Sequence, residues 1–425
     1  MRLTRWNPRV VEATNGATLA REMRHAGAAP ESIARVLART EALAVALEQV
    51  DCRAADRIEQ EMRAAGGDAA LRQAQGGPEH GREAAVRRAA GAELGRRATD
   101  LVLVGNRRQF ETFRERLRGE TGDLAALGRS VADALERHAR REFELVMGAY
   151  RLVVGERPLL MGVVNVTPDS FSDGGEFLEA DRAVAQARRL VDEGADLLDI
   201  GGESTRPGSE SVPETEEMRR VLPVVETLAE AVTVPLSIDT RHARVAREAV
   251  AAGAALVNDV TGLQGDPEMA RAVAETGAGV VIMHILGEPK TMQQNPHYDH
   301  LMADVVRYLR RGMALAQQAG VPENRILVDP GIGFGKTLKH NLEILAQLGH
   351  IRSLGRPILV GPSRKRFLGD LTGVEAPAER TGGTAAACAL AVAAGALVLR
   401  VHDVAETKQA VAVADAIARA AERES

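Results

Sequence analysis

The chain has 425 residues, of which 45% are hydrophobic, 27% charged and only 3% aromatic. That length suggests two or three domains of a soluble globular protein, with cores built on Ala, Val, Leu and Ile. A net charge of −5 with both signs plentiful gives no reason to expect nucleic acid or an anionic membrane as partner.

Two cysteines, Cys52 and Cys388, lie far apart without a CxxC partner. A disulfide framework or cysteine–zinc cluster is therefore not expected, and a reducing, cytoplasmic location is. The N-terminus, MRLTRWNPRVVEA, is too polar for a secretory signal. The Ala-rich run from Thr384 to Ala396 is shorter than a membrane span and contains glycine, so it reads as a buried helix.

Up to about residue 150 the sequence is rich in Ala, Arg and Glu. Leu43–Val50 and Leu101–Val104 look like strands, and Asp51–Ala65 and Arg107–Arg118 like the helices that follow them. Gln75–Arg97 is low in complexity and reads as a loop or an exposed helix. Leu124–Tyr150 reads as one long helix leading onward. We therefore expect a small accessory α/β domain over residues 1–120, a connecting helix over 121–157 and a third region over 158–425.

In that third region short apolar runs alternate with amphipathic helical stretches. The expected strands are Leu159–Val164, Ala195–Ile200, Val234–Ile238, Ala255–Asn258, Gly279–Met283, Ile326–Val328, Pro357–Val360 and Leu397–Val401. They are continuous rather than alternating, as strands covered on both faces are. The expected helices are Asp181–Glu193, Glu214–Ala231, His242–Ala252, Pro267–Glu275, Leu301–Ala319, Asn341–Leu348, Arg380–Ala393 and Ala405–Ala420. Glycine follows four of them, at Gly194, Gly253, Gly320 and Gly395, where a helix C-terminus is expected. Eight strand–helix units close as a (β/α)8 TIM barrel or lie open as a doubly wound sheet. An open sheet concentrates its polar loops at one switch point. Here nearly every strand ends in a polar signature, which favours the barrel.

Those strand ends carry the chemistry. Strand one runs into Asn165 and a polar, Gly-terminated loop, VTPDSFSDGG; the ordinary reading of such residues is a turn. Strand two runs into GGESTRPG, where Arg206 suggests an anion contact. Strands three, four and six end in Asp239-Thr240, Asn258-Asp259 and Asp329-Pro330. Any one of these could be a helix N-cap, but all of them together point into one pocket. Strand seven ends in Ser363-Arg364-Lys365, two adjacent cations of which one could be a plain surface charge. Strand eight ends in Arg400-Val401-His402, with Arg400 and His402 on the same side. DPGIGFGKT at Asp329–Thr337 invites a phosphate-loop reading, but Pro330 stands where the first glycine is needed. Its glycines suit close approach of the backbone to a flat ligand or a neighbouring strand. His284, His297 and His300 match no zinc-ligand spacing.

From Leu159 to Ile417 the chain resembles the dihydropteroate synthases of folate biosynthesis. The resemblance rests on MGVVNVTPDSFSDGG, GADLLDIGGESTRPGSE, LSIDT, NDVTG, MHILGEPKTMQ, LVDPGIGFGK, GPSRKRFLG and RVHDV, all in family order. It implies a transferase that joins 4-aminobenzoate to 6-hydroxymethyl-7,8-dihydropterin diphosphate and releases diphosphate. By resemblance Asp239, Asn258, Met283, Asp329, Phe334, Gly361 and Lys365 hold the pterin. Asn165, Thr205, Arg400 and His402 hold the diphosphate, with Asn165 also a ligand of a magnesium ion. Phe171, Pro207 and Ser363 line the aminobenzoate position, and Asp173, Arg206 and Lys365 take part in catalysis. A homodimer formed through barrel helices is expected on the same ground. A pterin-dependent methyltransferase and a non-catalytic pterin-binding protein share the fold. The first binds no diphosphate, and the second has no use for two complete lid loops.

Overall fold

The structure is a computed structural model that describes residues 42–71, 98–166, 176–204 and 212–422. The chain divides into two compact units, Met1–Glu136 with Arg419–Ser425, and Arg137–Ala418. Gln75–Arg97, expected as a loop or helix, falls outside the described residues.

In the first unit β1 (Leu43–Asp51) pairs antiparallel with β3 (Ala98–Gly105), which pairs antiparallel with β2 (Asp68–Leu71). Helices α1 (Cys52–Ala64) and α2 (Arg107–Leu117) cover the sheet. Each begins on a side-chain cap: Asp51 accepts from the amides of Arg53 and Ala54, and Asn106 forms a capping box with Gln109. Their apolar faces meet around Ile58, Met62, Leu101, Leu103 and Phe113, all fully buried. The strand β2 has no counterpart in the sequence reading; four residues give periodicity little to work with.

The helix expected over Leu124–Tyr150 is a correction. Helix α3 (Gly122–Ala139) stops at Ala139. A hairpin follows, β4 (Phe143–Met147) and β5 (Tyr150–Val154), turning through Gly148 at φ +55°. Phe143, Leu145 and Met147 alternate with Glu144 on β4, a period-two pattern that a helix cannot bury. Their destination is the bottom of the barrel. They cluster with Val154, Leu159, Met161, Leu197, Leu256, Val281, Leu327, Leu359 and Val398.

The barrel strands are β6 (Leu159–Asn165), β7 (Leu197–Gly201), β8 (Leu236–Asp239), β9 (Leu256–Asp259), β10 (Gly279–Met283), β11 (Ile326–Asp329), β12 (Leu359–Val360) and β13 (Val398–Val401). All pair parallel, in the order β11-β10-β9-β8-β7-β6-β13-β12. One bridge, Val328 to Ile358, joins β11 to β12 and closes the ring, with the Val328 amide donating to the Pro357 carbonyl at 3.0 Å. The fold is thus a (β/α)8 barrel, as expected, preceded by a small α/β unit.

Helices α4 (Glu176–Glu193), α5 (Glu214–Ala231), α6 (Ala243–Ala251), α7 (Met269–Thr276), α8 (Leu301–Gln318), α9 (Leu338–Ala346), α10 (Arg366–Thr372), α11 (Thr381–Ala393) and α12 (Val404–Glu422) belong to this part of the chain. The short α10 was not expected. The four glycines read as helix stops all have φ between +91° and +120°, the left-handed region that other residues avoid.

Side-chain direction along the strands explains the architecture. Residues such as Leu198, Ile200, Val257, Val280, Ile282, Val328 and Leu399 face the helices in the large outer core. Their neighbours one position away face inward. No helix among the described residues is long and apolar enough to cross a membrane.

Candidate active site

The inward positions change chemistry from bottom to top. Leu197, Leu256, Leu327 and Val398 lie in the lower cluster with the hairpin. Two residues further along the same strands stand Asp199, Asn258, Asp329 and Arg400. Period two keeps each pair on one face. The polar set therefore sits at the C-terminal end of the barrel, where barrel enzymes carry their chemistry.

Arg400 is the hub. Its Nε donates to Asp199 Oδ2 at 2.6 Å and its Nη2 to Asp239 Oδ2 at 2.7 Å. Asn258 Nδ2 donates to the same Asp199 oxygen at 3.0 Å. Asp199, Asp239 and Asn258 are all buried. Burial pushes the Asp239 carboxyl up to about 7, against the downward pull of Arg400, with Asp199, Glu217 and Glu203 adding to the rise. Burial also weighs against the Arg400 charge, but Asp199 and Asp239 outweigh it and hold the guanidinium above its usual range. Asp199 Oδ1 and Asn258 Oδ1 are buried without a hydrogen-bond partner among the described residues. Buried polar atoms left open in this way are costly unless a ligand engages them.

A second group lies across the barrel mouth. Asp329 is buried and accepts from the Gly331 amide at 2.6 Å. Burial raises its carboxyl, and Lys365 opposes the rise. The Lys365 ammonium donates to the Ile332 carbonyl and lies 4.5 Å from the centre of the Phe334 ring. Burial pushes Lys365 down to about 8, while Asp329 resists. Met283, at the end of β10, is buried, and Phe334 is half-buried. At Gly361, two positions past Leu359, an added Cβ would meet Arg400 Cβ at 3.5 Å.

At the next strand end Ser363 Oγ lies 3.0 Å from His402 Nδ1 and accepts from the His402 amide at 3.2 Å. Of the two adjacent cations, Arg364 is tied into the scaffold. Its guanidinium pairs with Asp403 and its amide donates to Thr384. It holds a φ of +58°, a strained value for a residue with a Cβ. Of the two, that leaves Lys365 to join Arg400 at the mouth. Asn165 ends β6, is exposed, and makes no side-chain hydrogen bond to another described residue.

Some polar strand-end residues are structural. Asp259 accepts from the Thr261 amide, the Thr261 hydroxyl and the Leu263 amide, and so caps a turn. In the DPGIGFGKT segment an added Cβ at Gly331 would lie 1.9 Å from the His284 carbonyl, so that glycine serves close approach to the neighbouring segment. Lys336 is buried there, donating to the Phe334 carbonyl at 2.8 Å and 2.9 Å from His284 Nδ1. Burial holds both His284 and Lys336 well below their usual values. His300 caps α8 and His297 pairs with Asp299, so these histidines lie on separate tasks.

Phe171, Asp173, Thr205, Arg206 and Pro207 lie outside the described residues. The residue that sequence reasoning missed is Asp199. Its signal was available: a carboxylate inside the apolar run Leu197–Ile200 must be partnered to be buried.

The comparisons with known proteins address the same residues. Positions 161–402 match the family model described as pterin binding enzyme. A dihydropteroate synthase of Synechocystis sp. is 45% identical over 265 residues, covering 62% of this chain and 92% of that protein. This chain belongs to the dihydropteroate synthase family. A crystal structure of the Xanthomonas albilineans enzyme with 4-aminobenzoic acid superposes with a TM-score of 0.61 at 49% identity, covering 65% of this chain and 98% of that one. A probable bifunctional folylpolyglutamate synthase/dihydropteroate synthase of Haloferax volcanii is 42% identical over 333 residues, 76% of this chain but only 39% of that protein.

Proposed function

We propose that the barrel condenses 6-hydroxymethyl-7,8-dihydropterin diphosphate with 4-aminobenzoate to give 7,8-dihydropteroate and diphosphate. Family membership supports this reading, and one observation carries it. Asp239, Asn258, Asp329 and Lys365 stand at the strand ends of a single barrel mouth, with buried oxygens left open for a ligand. A flat heterocycle edged with N–H donors and ring acceptors complements that set. In this reading Met283, Phe334 and Gly361 give the pterin ring its apolar walls.

His402 and Asn165 are assigned to the diphosphate, as Thr205 is on the family resemblance alone, and Arg400 reaches it from its carboxylate partners. Ser363 lines the aminobenzoate position with Phe171 and Pro207. Asp173 and Arg206 are assigned to catalysis on the family resemblance alone.

The donor chemistry fits a magnesium ion. Asn165 presents one hard carboxamide oxygen at the mouth without a competing partner among the described residues. Magnesium keeps several waters and shares phosphate oxygens, so one protein ligand suffices. When bound, it supplies neutralising charge to the diphosphate.

The steps assigned to the protein's own groups are electrostatic. The bond from the pterin methylene to the diphosphate oxygen breaks, and its electron pair leaves with the diphosphate. Arg400 and His402 stabilise that departing charge, while the ionised Asp239 and Asp329 stabilise the cationic pterin. The aniline nitrogen then bonds to the methylene and releases one proton. Excluding water from the mouth protects the cation from hydrolysis. No protein nucleophile takes part.

A cytoplasmic location and a homodimer complete the reading. Leu371, Leu390, Val413 and Ile417, on α10, α11 and α12, are 52–69% exposed, large apolar side chains available to a second copy. The decisive experiment measures diphosphate release. The rate should require both substrates, and absence of aminobenzoate-dependent release would overturn the assignment.

A further inference from the structure

Beside the mouth, but outside the set just described, Glu203, Glu217 and His242 bring three potential ligand atoms within 4.8 Å of one another. Glu203 follows β7, Glu217 lies in the first turns of α5 and His242 is the residue before α6. From these positions the geometry points to a second metal site, for a borderline divalent transition ion such as Zn2+, distinct from any ion carried by the diphosphate.

The case rests on Glu217. Its side chain is 0% exposed. One oxygen, Oε2, lies 2.8 Å from His242 Nδ1. The other, Oε1, is buried without a hydrogen-bond partner among the described residues. Outside the cluster, then, this carboxylate has no partner among the described residues. Burying a charge is expensive unless it is paired or coordinates a metal. The hydrogen bond with His242, which Glu217 favours in its charged form, engages only Oε2 and leaves Oε1 open.

Arg241 donates to both Glu203 oxygens, at 3.1 and 3.3 Å, and the Val212 amide donates to Oε1 at 3.4 Å. A carboxylate has about four lone-pair positions, so Glu203 can keep Arg241 and still face an ion. Glu217 holds the His242 imidazole above its usual value, so an arriving ion would displace the proton there and stand beside the two carboxylates in its place.

The donor set selects the metal. One imidazole and two carboxylates suit zinc and its neighbours in the transition series, while magnesium avoids imidazole. An ion here would tie the segment after β7 to the heads of α5 and α6. His242 lies three positions beyond Asp239, so the tie would brace the strand end that carries that carboxylate.

The test uses the full chain stripped of metal by a chelator. Zn2+ is added in competition with a chromogenic chelator, and Co2+ is followed by its visible absorption. The wild-type chain should take up one ion with a dissociation constant at least about a hundredfold below that of His242→Ala, since even outer-sphere changes cost 10–100-fold. The cobalt spectrum should lack a thiolate charge-transfer band, and zinc should raise the melting temperature of wild type but not of His242→Ala. Glu203→Gln gives an independent check, because Glu217→Gln risks the fold. Two results would overturn the site: no one-equivalent uptake, or uptake unchanged in His242→Ala and Glu203→Gln. Loss of zinc binding in Asn165→Ala instead would place the ion at the diphosphate position and likewise refute it.

Discussion

The two ends of the barrel are built from the same strands and have opposite chemistry. At the bottom, inward side chains are Leu197, Leu256, Leu327 and Val398, sealed by Phe143, Leu145 and Met147 of the hairpin. Two positions on, the same inward face carries Asp199, Asn258, Asp329 and Arg400. The lower layer gains free energy by leaving water. The upper layer loses it unless each charge is partnered, as Arg400 partners Asp199 and Asp239. Stability and chemistry are thus stacked along the strand axis.

That separation can be tested from the largest effect down. Beginning the chain at Arg151 deletes β4 with its four buried hydrophobic side chains, each worth about 2–5 kcal/mol. Such a protein should fail to fold. A chain that begins at Arg137 keeps the hairpin and should retain turnover within a few-fold of the full chain. If it loses turnover instead, the N-terminal unit is more than an accessory. Lys365→Ala acts at the other end. It should lower kcat/KM by about 10³-fold, or ~4 kcal/mol of transition-state stabilisation, with little change in melting temperature. Near wild-type turnover in that variant would remove Lys365 from the site.

Met147→Ala should do the reverse. It should lower stability by about 2–5 kcal/mol in denaturant titrations and leave kcat almost unchanged. A large loss of kcat there would show that the two layers are coupled. Smallest and most graded is the pH profile of kcat/KM. Lys365, held down to about 8, keeps its ammonium below that pH and loses it above. Asp239, raised to about 7, gains a proton as pH falls below that value and ceases to accept hydrogen bonds. The rate should therefore fall on both sides of a maximum between about 7 and 8. A flat alkaline limb in wild type would argue that Lys365 works uncharged.

Much of this was legible in the sequence. The eight strands were readable because both faces are covered, so each is a solid apolar run between helices that end at glycine. The polar strand ends were readable because carboxylates and amides interrupt those runs. The hairpin was not, because Arg140-Arg141-Glu142 continues the helical charge pattern and only five residues of alternation follow. For Asp199 the need for a partner is visible in its apolar run, but the partner, Arg400, stands 201 positions away and only the fold brings the two together. The role of Arg364 was hidden too, since its pairing with Asp403 depends on a backbone twist.

The ring of strands is fastened at the single bridge between Val328 and Ile358. A hoop with one clasp yields there first. Spontaneous opening of the barrel should begin at the two-residue strand Leu359–Val360, and its amides should exchange with deuterated solvent ahead of those in β6 or β10. The clasp lies between Asp329 on one side and Ser363 and Lys365 on the other. The weakest part of the scaffold is therefore the part nearest two of its charged site residues, so local breathing there would let the mouth adjust as a bicyclic substrate is exchanged for a longer, three-ring product.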